Sequence, residues 1–535
     1  MLKMAELVYD TIVVGGGIAG LNAAAYLSKK GQKVLLIEKN SECGGLVNSF
    51  NRNGFRFEAG VRALLDAGII FPMLKELDIE LEVVKSLVSV GIGEDIIHIK
   101  DISSLEDYKR LLIKHYPDSE GDIEKLIRII RKIMRHMDVL YGLENPVIKD
   151  VWKDKTFLFK KLLPWLPRFL FTIRKINRMK MPVEEYVKTF IEDPSLRDII
   201  TQHFFKNTPS FFALSYFSLY LDYFYPKGGV GKLAEAVESR LLELGGEIKL
   251  KTSIQDVEAD KQRVVDQNGQ AYRYKNLIWA ADLKTFYRST DTTGLSSKIQ
   301  TKFEAVKARM LEQRGGDSVY SLYLQVDEPL ESFNNIASGH FFYTPLKTGL
   351  GETHWGELDS MIENWENVTK DQLHLWLDKL CRLNTYEISI PGLKDPTLVP
   401  EGKTGLIISF LTDYDLFQKV YESGWYDEFV SEIEKRVIKV LADAVYPMLK
   451  GKVLDSFSFT PWSIKNRVGS SEGAIVGWSF QNSIPVIDEM QSSARSVLTP
   501  IPKVFQAGQW TYSPAGVPMS ILTGKLAADR VLKRK

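Results

Sequence analysis

Along the chain, runs of uninterrupted apolar residues alternate with stretches whose apolar positions recur every three to four residues. The first such pair sets the theme. Ile12, Val13 and Val14 form a continuous apolar run, and Leu21, Ala24, Ala25 and Leu27 then recur at helical spacing before Lys30-Gly31. Val34 to Ile37 form a second apolar run closed by Glu38. The pattern predicts a buried strand, a helix and a second buried strand, a βαβ unit with a parallel pair. Farther on, LEDYKRLLIKHYP and DIEKLIRIIRKIMRHMDVLYGL have helical periodicity, and SVYSLYLQV and GLIISFLT read as strands of an antiparallel sheet. Near the C-terminus, Val504 to Ala507 reads as a strand, and Val517 to Leu532 as a helix with Pro518 in its first turn, where the missing N–H is not needed.

Between the first strand and the first helix lies Gly15-Gly16-Gly17-Ile18-Ala19-Gly20, a G-x-G-x-x-G turn. Gly15 permits the tight turn, Gly17 lets the backbone approach a pyrophosphate, and Gly20 lets helix and strand pack closely. The helix N-terminus attracts the phosphates. Glu38 comes eighteen residues after Gly20, at the tip of the second strand, where a carboxylate accepts from ribose hydroxyls and repels a 2′-phosphate. This unit alone does not separate NAD from FAD. Cys43-Gly44-Gly45 follows shortly after the acid and allows a second loop to pass near the same dinucleotide.

Composition narrows the classes. With 535 residues the chain exceeds what one core supports, so two or more lobes are expected. A hydrophobic fraction of 44% and a net charge of +1 describe an ordinary folded protein and give no electrostatic sign of nucleic-acid binding. The two cysteines, Cys43 and Cys381, form neither a CxxC pair nor a disulfide framework, which points to a reducing compartment. No leader is expected before the first strand, and no apolar run has the length of a spanning helix. The expected location is the cytoplasm, with a peripheral position on the inner face of a membrane as the alternative. No HExxH, G-x-S-x-G or metal-spaced Cys/His cluster occurs, so no metal site is expected.

Four segments carry a resemblance: Asp10 through GGLVNSFNRNGFRFEAGVRAL; YPKGGVGKLAEAVESRLLELGGEIKLKTSI with NLIWAAD; TPWSIKNR with Gly473 and Gly477; and VFQAGQWTYSPAGVPMSILTGKLAADRVL. In these the chain resembles the FAD-dependent phytoene desaturase, carotenoid isomerase and retinol saturase branch of the amine oxidase superfamily. Glu58 stands for the family's Asp in G-F-x-F-D-x-G, Gln509 for a common acid, and Leu46 for an Arg frequent in amine oxidases.

The resemblance implies an α/β fold with a discontinuous Rossmann-like FAD-binding domain of amine-oxidase type (1–75, 226–290 and 450–535), an inserted antiparallel-sheet substrate domain (291–449) and a helical cap (76–225). It puts Gly15, Gly17, Ile18, Ala19 and Gly20 on the pyrophosphate, Glu38 and Lys39 at the adenosine ribose, and Gly44 and Gly45 beside the phosphates. Ile254 is expected at adenine, and Gly60, Val61, Arg62, Gly508, Gln509, Val517 and Met519 near the ribityl chain or ring. The implied activity is oxidation or reduction of C–C bonds in a long apolar isoprenoid, with hydride transfer at flavin N5. A reduced-flavin polyene isomerase and a non-catalytic prenyl-binding escort-like protein are the alternatives, and an amine oxidase stands third.

Two stretches of the cap bear on substrate. Lys155 to Pro182 has eight basic residues and no acid among Leu, Ile and aromatics, which suits a peripheral membrane contact or a solvated basic face. His203 to Pro226 has ten Phe or Tyr residues, which suits an apolar tunnel for a polyene or plain core. No catalytic residue is fixed; Glu58, Arg62, His203 and Asp222 are the candidates in or beside pocket segments.

Overall fold

The computed structural model describes residues 8–149, 154–353 and 356–533. Residues 1–7, on which the absence of a leader was read, lie outside them. Strands Val8–Val14 and Val34–Ile37 pair in parallel across the helix Ile18–Lys29, giving the expected βαβ unit. Ala271–Trp279 pairs in parallel with Val8–Val14, and Val504–Gln506 pairs in parallel with Ala271–Trp279. One eight-stranded sheet therefore takes strands from the beginning, middle and end of the chain. The helix Val517–Leu532 packs beside Ile18–Lys29, with Ile521, Leu522 and Ala528 in the same buried cluster as Ala19, Leu21 and Ala24.

A second, seven-stranded sheet covers the site region. The long strands Ser318–Val326 and Thr404–Thr412 are antiparallel over nine residue pairs and match the periodicity of SVYSLYLQV and GLIISFLT. Val88–Ile92 and Asp95–Ile99, inside the stretch read as helical, extend this sheet through a parallel pairing of Val88–Ile92 with His340–Thr344. Val453–Phe459 forms its other edge. Their short apolar runs carry no helical period, and only a neighbouring strand makes them strands.

The helices Ser104–His115, Glu120–Tyr141 and Leu163–Ile176 form the bulk of the cap, preceded at the last by a π-helical turn, Leu158–Leu162. Glu120–Tyr141 buries Ile123, Leu126, Ile127, Ile130, Ile133, Met134 and Met137 at helical spacing. Among the described residues, no helix is long and apolar enough to cross a membrane.

Candidate functional site

The glycine turn is built as its spacing requires. Gly15 has φ +106°, and a Cβ there would lie 2.6 Å from the Ala280 carbonyl oxygen. A Cβ on Gly20 would lie 1.9 Å from the Gly15 oxygen. On Gly17 it would meet no atom within 4 Å, so this glycine faces open space. The helix beginning after Gly17 has no side-chain cap and no acid in its first turn, leaving N–H groups for an anion. Gly44 donates its N–H to the Gly16 oxygen at 2.8 Å, which brings the Gly44-Gly45 loop against the turn. Glu38 accepts from the Gly16 N–H at 2.6 Å and the Asn40 N–H at 2.9 Å. Lys39 lies close by, its Nζ 3.5 Å from the Asn466 oxygen; burial lowers its pKa against the opposing charges of Glu38 and Asp282.

The far end of the chain meets the same turn. A Cβ on Gly508, whose φ is +97°, would sit 3.6 Å from the Ala19 Cβ, and Asn22 donates to the Ile521 oxygen at 2.7 Å. The helix Val517–Leu532 begins after Gly516, again with no side-chain cap and no acid in its first turn, and Val517 and Met519 are half-buried at its head. Gln509 is half-buried, its amide nitrogen 3.4 Å from the Ala474 oxygen. Gly60 and Val61 run beside Leu46, with the Val61 N–H donating to its oxygen at 3.1 Å. Ile254 is buried at the start of the strand Ile254–Glu258, among Ile12, Leu35 and Ile37. The open side of Gly17 and two uncapped helix starts, both free of acids, fit a dinucleotide that bears a pyrophosphate and gains negative charge at its far end.

Beyond Val61 the backbone enters a buried polar cluster. Arg62 donates to the Glu58 oxygen at 2.7 Å, Ser321 Oγ at 3.0 Å and Ser409 Oγ at 3.1 Å. The Glu58 carboxyl is fully buried; it accepts from the Tyr225 hydroxyl, and its other oxygen has no partner. Burial raises its pKa, opposed by Lys394, the Tyr225 bond and Arg62. Lys394 donates to the Arg62 oxygen at 2.8 Å and Ser389 Oγ at 2.9 Å, and burial brings its pKa down to about 8. Glu387 accepts from His340 Nε2 at 2.9 Å.

The aromatic segment 203–226 folds into the helices Ser210–Leu214 and Tyr216–Asp222 and the strand Tyr223–Pro226. With Val90, Phe342 and Ile130 it encloses an apolar chamber, lined on the segment's side by His203, Tyr216 and Tyr220. His203 packs on Phe204 at 4.0 Å between ring centres, and burial lowers its pKa to about 4, so it is neutral. Asp222 is exposed at the end of its helix, outside the chamber lining. Of the four catalytic candidates, Glu58 and Arg62 thus meet in the polar cluster and His203 lines the chamber.

Lys394, His340 and Glu387 escaped the reading of the sequence. The available signal was polar residues at alternate positions of otherwise apolar strands, Ser321 in SVYSLYL and Glu387 with Ser389 in YEIS, which marks an inner face carrying chemistry. Among the described residues, no group of His, Cys, Asp and Glu is arranged to hold a metal.

Comparison with known proteins agrees with this architecture. The family of flavin containing amine oxidoreductases matches residues 18–532. The all-trans-retinol 13,14-reductase of Macaca fascicularis is 21% identical over 98% of this chain and 86% of its own. The phytoene desaturase of Fusarium fujikuroi is 20% identical over 99% and 90%. The crystal structure of an oxidoreductase from Methanosarcina mazei superposes with a TM-score of 0.59 at 15% identity, covering 98% of this chain and 100% of the other. The chain belongs to the flavin containing amine oxidoreductase family, a flavoenzyme with FAD as its cofactor and an α/β fold.

Proposed function

We propose that the protein is an FAD-dependent oxidoreductase that changes the saturation of C–C bonds in a long apolar isoprenoid. The observation that carries this reading is the aromatic chamber of His203, Tyr216, Tyr220 and Phe342, on the same sheet face as the Arg62 cluster that continues from the glycine turn. Gly15, Gly17, Ile18, Ala19 and Gly20 hold the pyrophosphate, Gly44 and Gly45 flank it, and Glu38 and Lys39 take the adenosine ribose. Ile254 backs the adenine. Gly60, Val61, Gly508, Gln509, Val517 and Met519 line the ring and ribityl end. FAD, when bound, supplies the two-electron chemistry, accepting or returning a hydride at N5.

The protein's own part is to bind, orient and keep dry. Rings set tilted or edge-on to one another about the chamber hold a conjugated chain and exclude water from the reacting carbons. Arg62, fixed by three acceptors, and Lys394, fixed by two, concentrate positive charge beside the ring end, which favours a reduced, anionic cofactor. The relatives named for retinol reduction and phytoene desaturation support an isoprenoid substrate.

A peripheral membrane contact through 155–182 completes this reading. Phe159, Leu163, Leu166 and Leu170 are all exposed at spacings of four, three and four residues, one stripe along the helical stretch, and Lys160, Lys161, Arg168 and Arg174 are exposed around it. An apolar stripe bordered by cations suits the headgroup region of an anionic bilayer.

The test is anaerobic photoreduction of the bound flavin followed by mixing with a panel of polyenes. Flavin reoxidation with loss of conjugation identifies saturation, and reduction of oxidised flavin by a polyene identifies desaturation. A spectral shift of the polyene without flavin turnover means isomerisation and refutes the redox reading. A colourless purified protein refutes the enzyme reading altogether.

A further inference from the structure

The chamber is apolar in its bulk, yet Tyr108, His203, Tyr216, Tyr220, Thr344 and Thr385 bring polar atoms to its wall. The two threonines engage each other, Oγ1 to Oγ1 at 2.8 Å, and Gln202 Nε2 donates to Thr385 at 2.7 Å. His203 is neutral, and its Nδ1 has no partner. Among the described residues, no carboxylate lines the space. The three phenol hydroxyls remain, and among the described residues none of them has a hydrogen-bond partner; only burial and the charges of nearby groups act on them.

Phenylalanine would supply the same ring contacts at these positions. A phenol oxygen taken out of water without a partner costs stability that a phenylalanine does not, so an orphaned hydroxyl on a cavity wall calls for a role. Tyr220 is the most deeply set of the three, at 7% exposed, whereas Tyr108 and Tyr216 are half-buried. Its ring packs on Phe342 at 5.0 Å, tilted by 33°, and on Tyr223 at 6.1 Å, and Tyr223 lies flat on His340 at 5.4 Å and 9°. Tyr216 packs on Phe204 at 4.9 Å instead, and Tyr108 belongs to the cap helix Ser104–His115. Tyr220 is therefore the phenol on the side of the polar cluster of His340, Glu387 and Arg62.

Burial pushes the Tyr220 hydroxyl well above the ordinary phenol range, and Tyr223, Tyr216, Tyr108 and Glu387 add to the effect. It keeps its proton throughout the neutral range. A neutral phenol can give that proton to a carbon on which negative charge develops, and it has no vacant site for taking one. His203, with its pKa near 4, carries no extra proton to give at neutral pH. The wall thus offers phenol donors and no strong base, which fits adding hydrogen across a double bond rather than removing it.

We propose that Tyr220 is a catalytic residue, the proton donor in the reduction of a C=C bond of a conjugated chain held in the chamber. This rests on the reading above that the chamber receives such a chain beside the flavin. One carbon of the double bond takes a hydride from reduced FAD, which is thereby oxidised by two electrons. The electron pair of the double bond forms a new C–H bond at the neighbouring carbon with the Tyr220 proton, and the O–H bond breaks. The phenolate left behind recovers a proton from solvent as the product leaves.

The test is Tyr220→Phe, which removes one unpartnered oxygen and leaves the ring contacts, so that the fold is preserved. The probes are all-trans-retinol and lycopene, a short and a long conjugated chain. Each is titrated against the oxidised, FAD-loaded protein by quenching of tryptophan fluorescence, and each is mixed anaerobically with the photoreduced protein in H2O and in D2O. The variant is expected to bind the probe within about twofold of the wild type and to reoxidise its flavin about a hundredfold or more slowly, as for loss of a general acid. The wild-type product formed in D2O is expected to carry one deuterium, at a single carbon. Flavin reoxidation at the wild-type rate in Tyr220→Phe overturns the proton donor and leaves the substrate reading intact. A loss of affinity as large as the loss of rate makes Tyr220 a binding contact and overturns it as well, as does a larger loss of rate in Tyr216→Phe than in Tyr220→Phe. If neither probe reoxidises the wild-type flavin, the redox reading fails and the proton donor with it.

Discussion

Lys394 Nζ lies 2.8 Å from the carbonyl oxygen of Arg62, a residue 332 positions away, and so ties the sheet covering the site to the backbone that leaves the glycine-turn domain. The ammonium is drawn out of water to make this contact, and burial lowers its pKa from 10.5 to about 8. Between those values the unfolded chain holds a proton that the fold has released. Unfolding therefore takes up a proton, and this group's contribution to stability rises with pH across about 8 to 10.5. Unfolding measured at pH 7.5, 9 and 10 is expected to show Lys394→Met losing its advantage over, or falling further behind, the wild type as pH rises. A difference between the two proteins that is flat with pH disproves the assignment.

Gly15 and Gly17 are two residues apart and respond oppositely to a methyl group. Gly15→Ala places a side chain at φ +106° and against the Ala280 oxygen, at a cost of about 2 to 6 kcal/mol from strain and overlap together. Gly17→Ala points its methyl into open space at φ −67° and costs no more than about 1 kcal/mol of stability. The methyl then occupies the space proposed for the pyrophosphate. The expected result is a folded, nearly colourless Gly17→Ala protein, read by thermal unfolding and the flavin absorbance of the purified sample. Full flavin content in that variant removes the turn from the cofactor site.

Val90 lines the chamber beside Phe342 and is half-buried. Val90→Phe narrows the space for a chain without touching the glycine turn. We expect KM for a polyene to rise by about tenfold or more, as for pockets that lose room for a few methylenes, with flavin content and photoreduction unchanged. An unaltered KM would place the substrate elsewhere.

The exposed stripe makes a separable prediction. Leu163→Glu with Leu170→Glu puts two charges on the apolar face while leaving the buried Thr172 and Ile173 in place. Flotation with vesicles rich in anionic lipid is expected to recover about one tenth or less of the wild-type amount, because two apolar side chains no longer enter the headgroup region. Equal flotation of the two proteins refutes the contact, and flavin content reports that the fold is intact.

What was legible in the chain was local. The βαβ unit, its turn and Glu38 were readable because strand, turn, helix and acid follow one another within thirty residues, and Gly15 and Gly20 are each demanded by a contact inside that unit or with the adjoining strand, while Gly17 faces open space. The C-terminal strand and helix were readable for the same reason, from apolar runs and Pro518. Val88–Ile92 and Asp95–Ile99 were not, since a short apolar run has no period that separates strand from helix until a partner such as His340–Thr344 lies beside it. Glu387, His340 and Lys394 were likewise silent in the sequence. A glutamate 47 residues from its histidine carries no motif. Only the register of neighbouring strands puts Glu387 between Ser409 and Phe342, and only tertiary burial gives its charge a consequence.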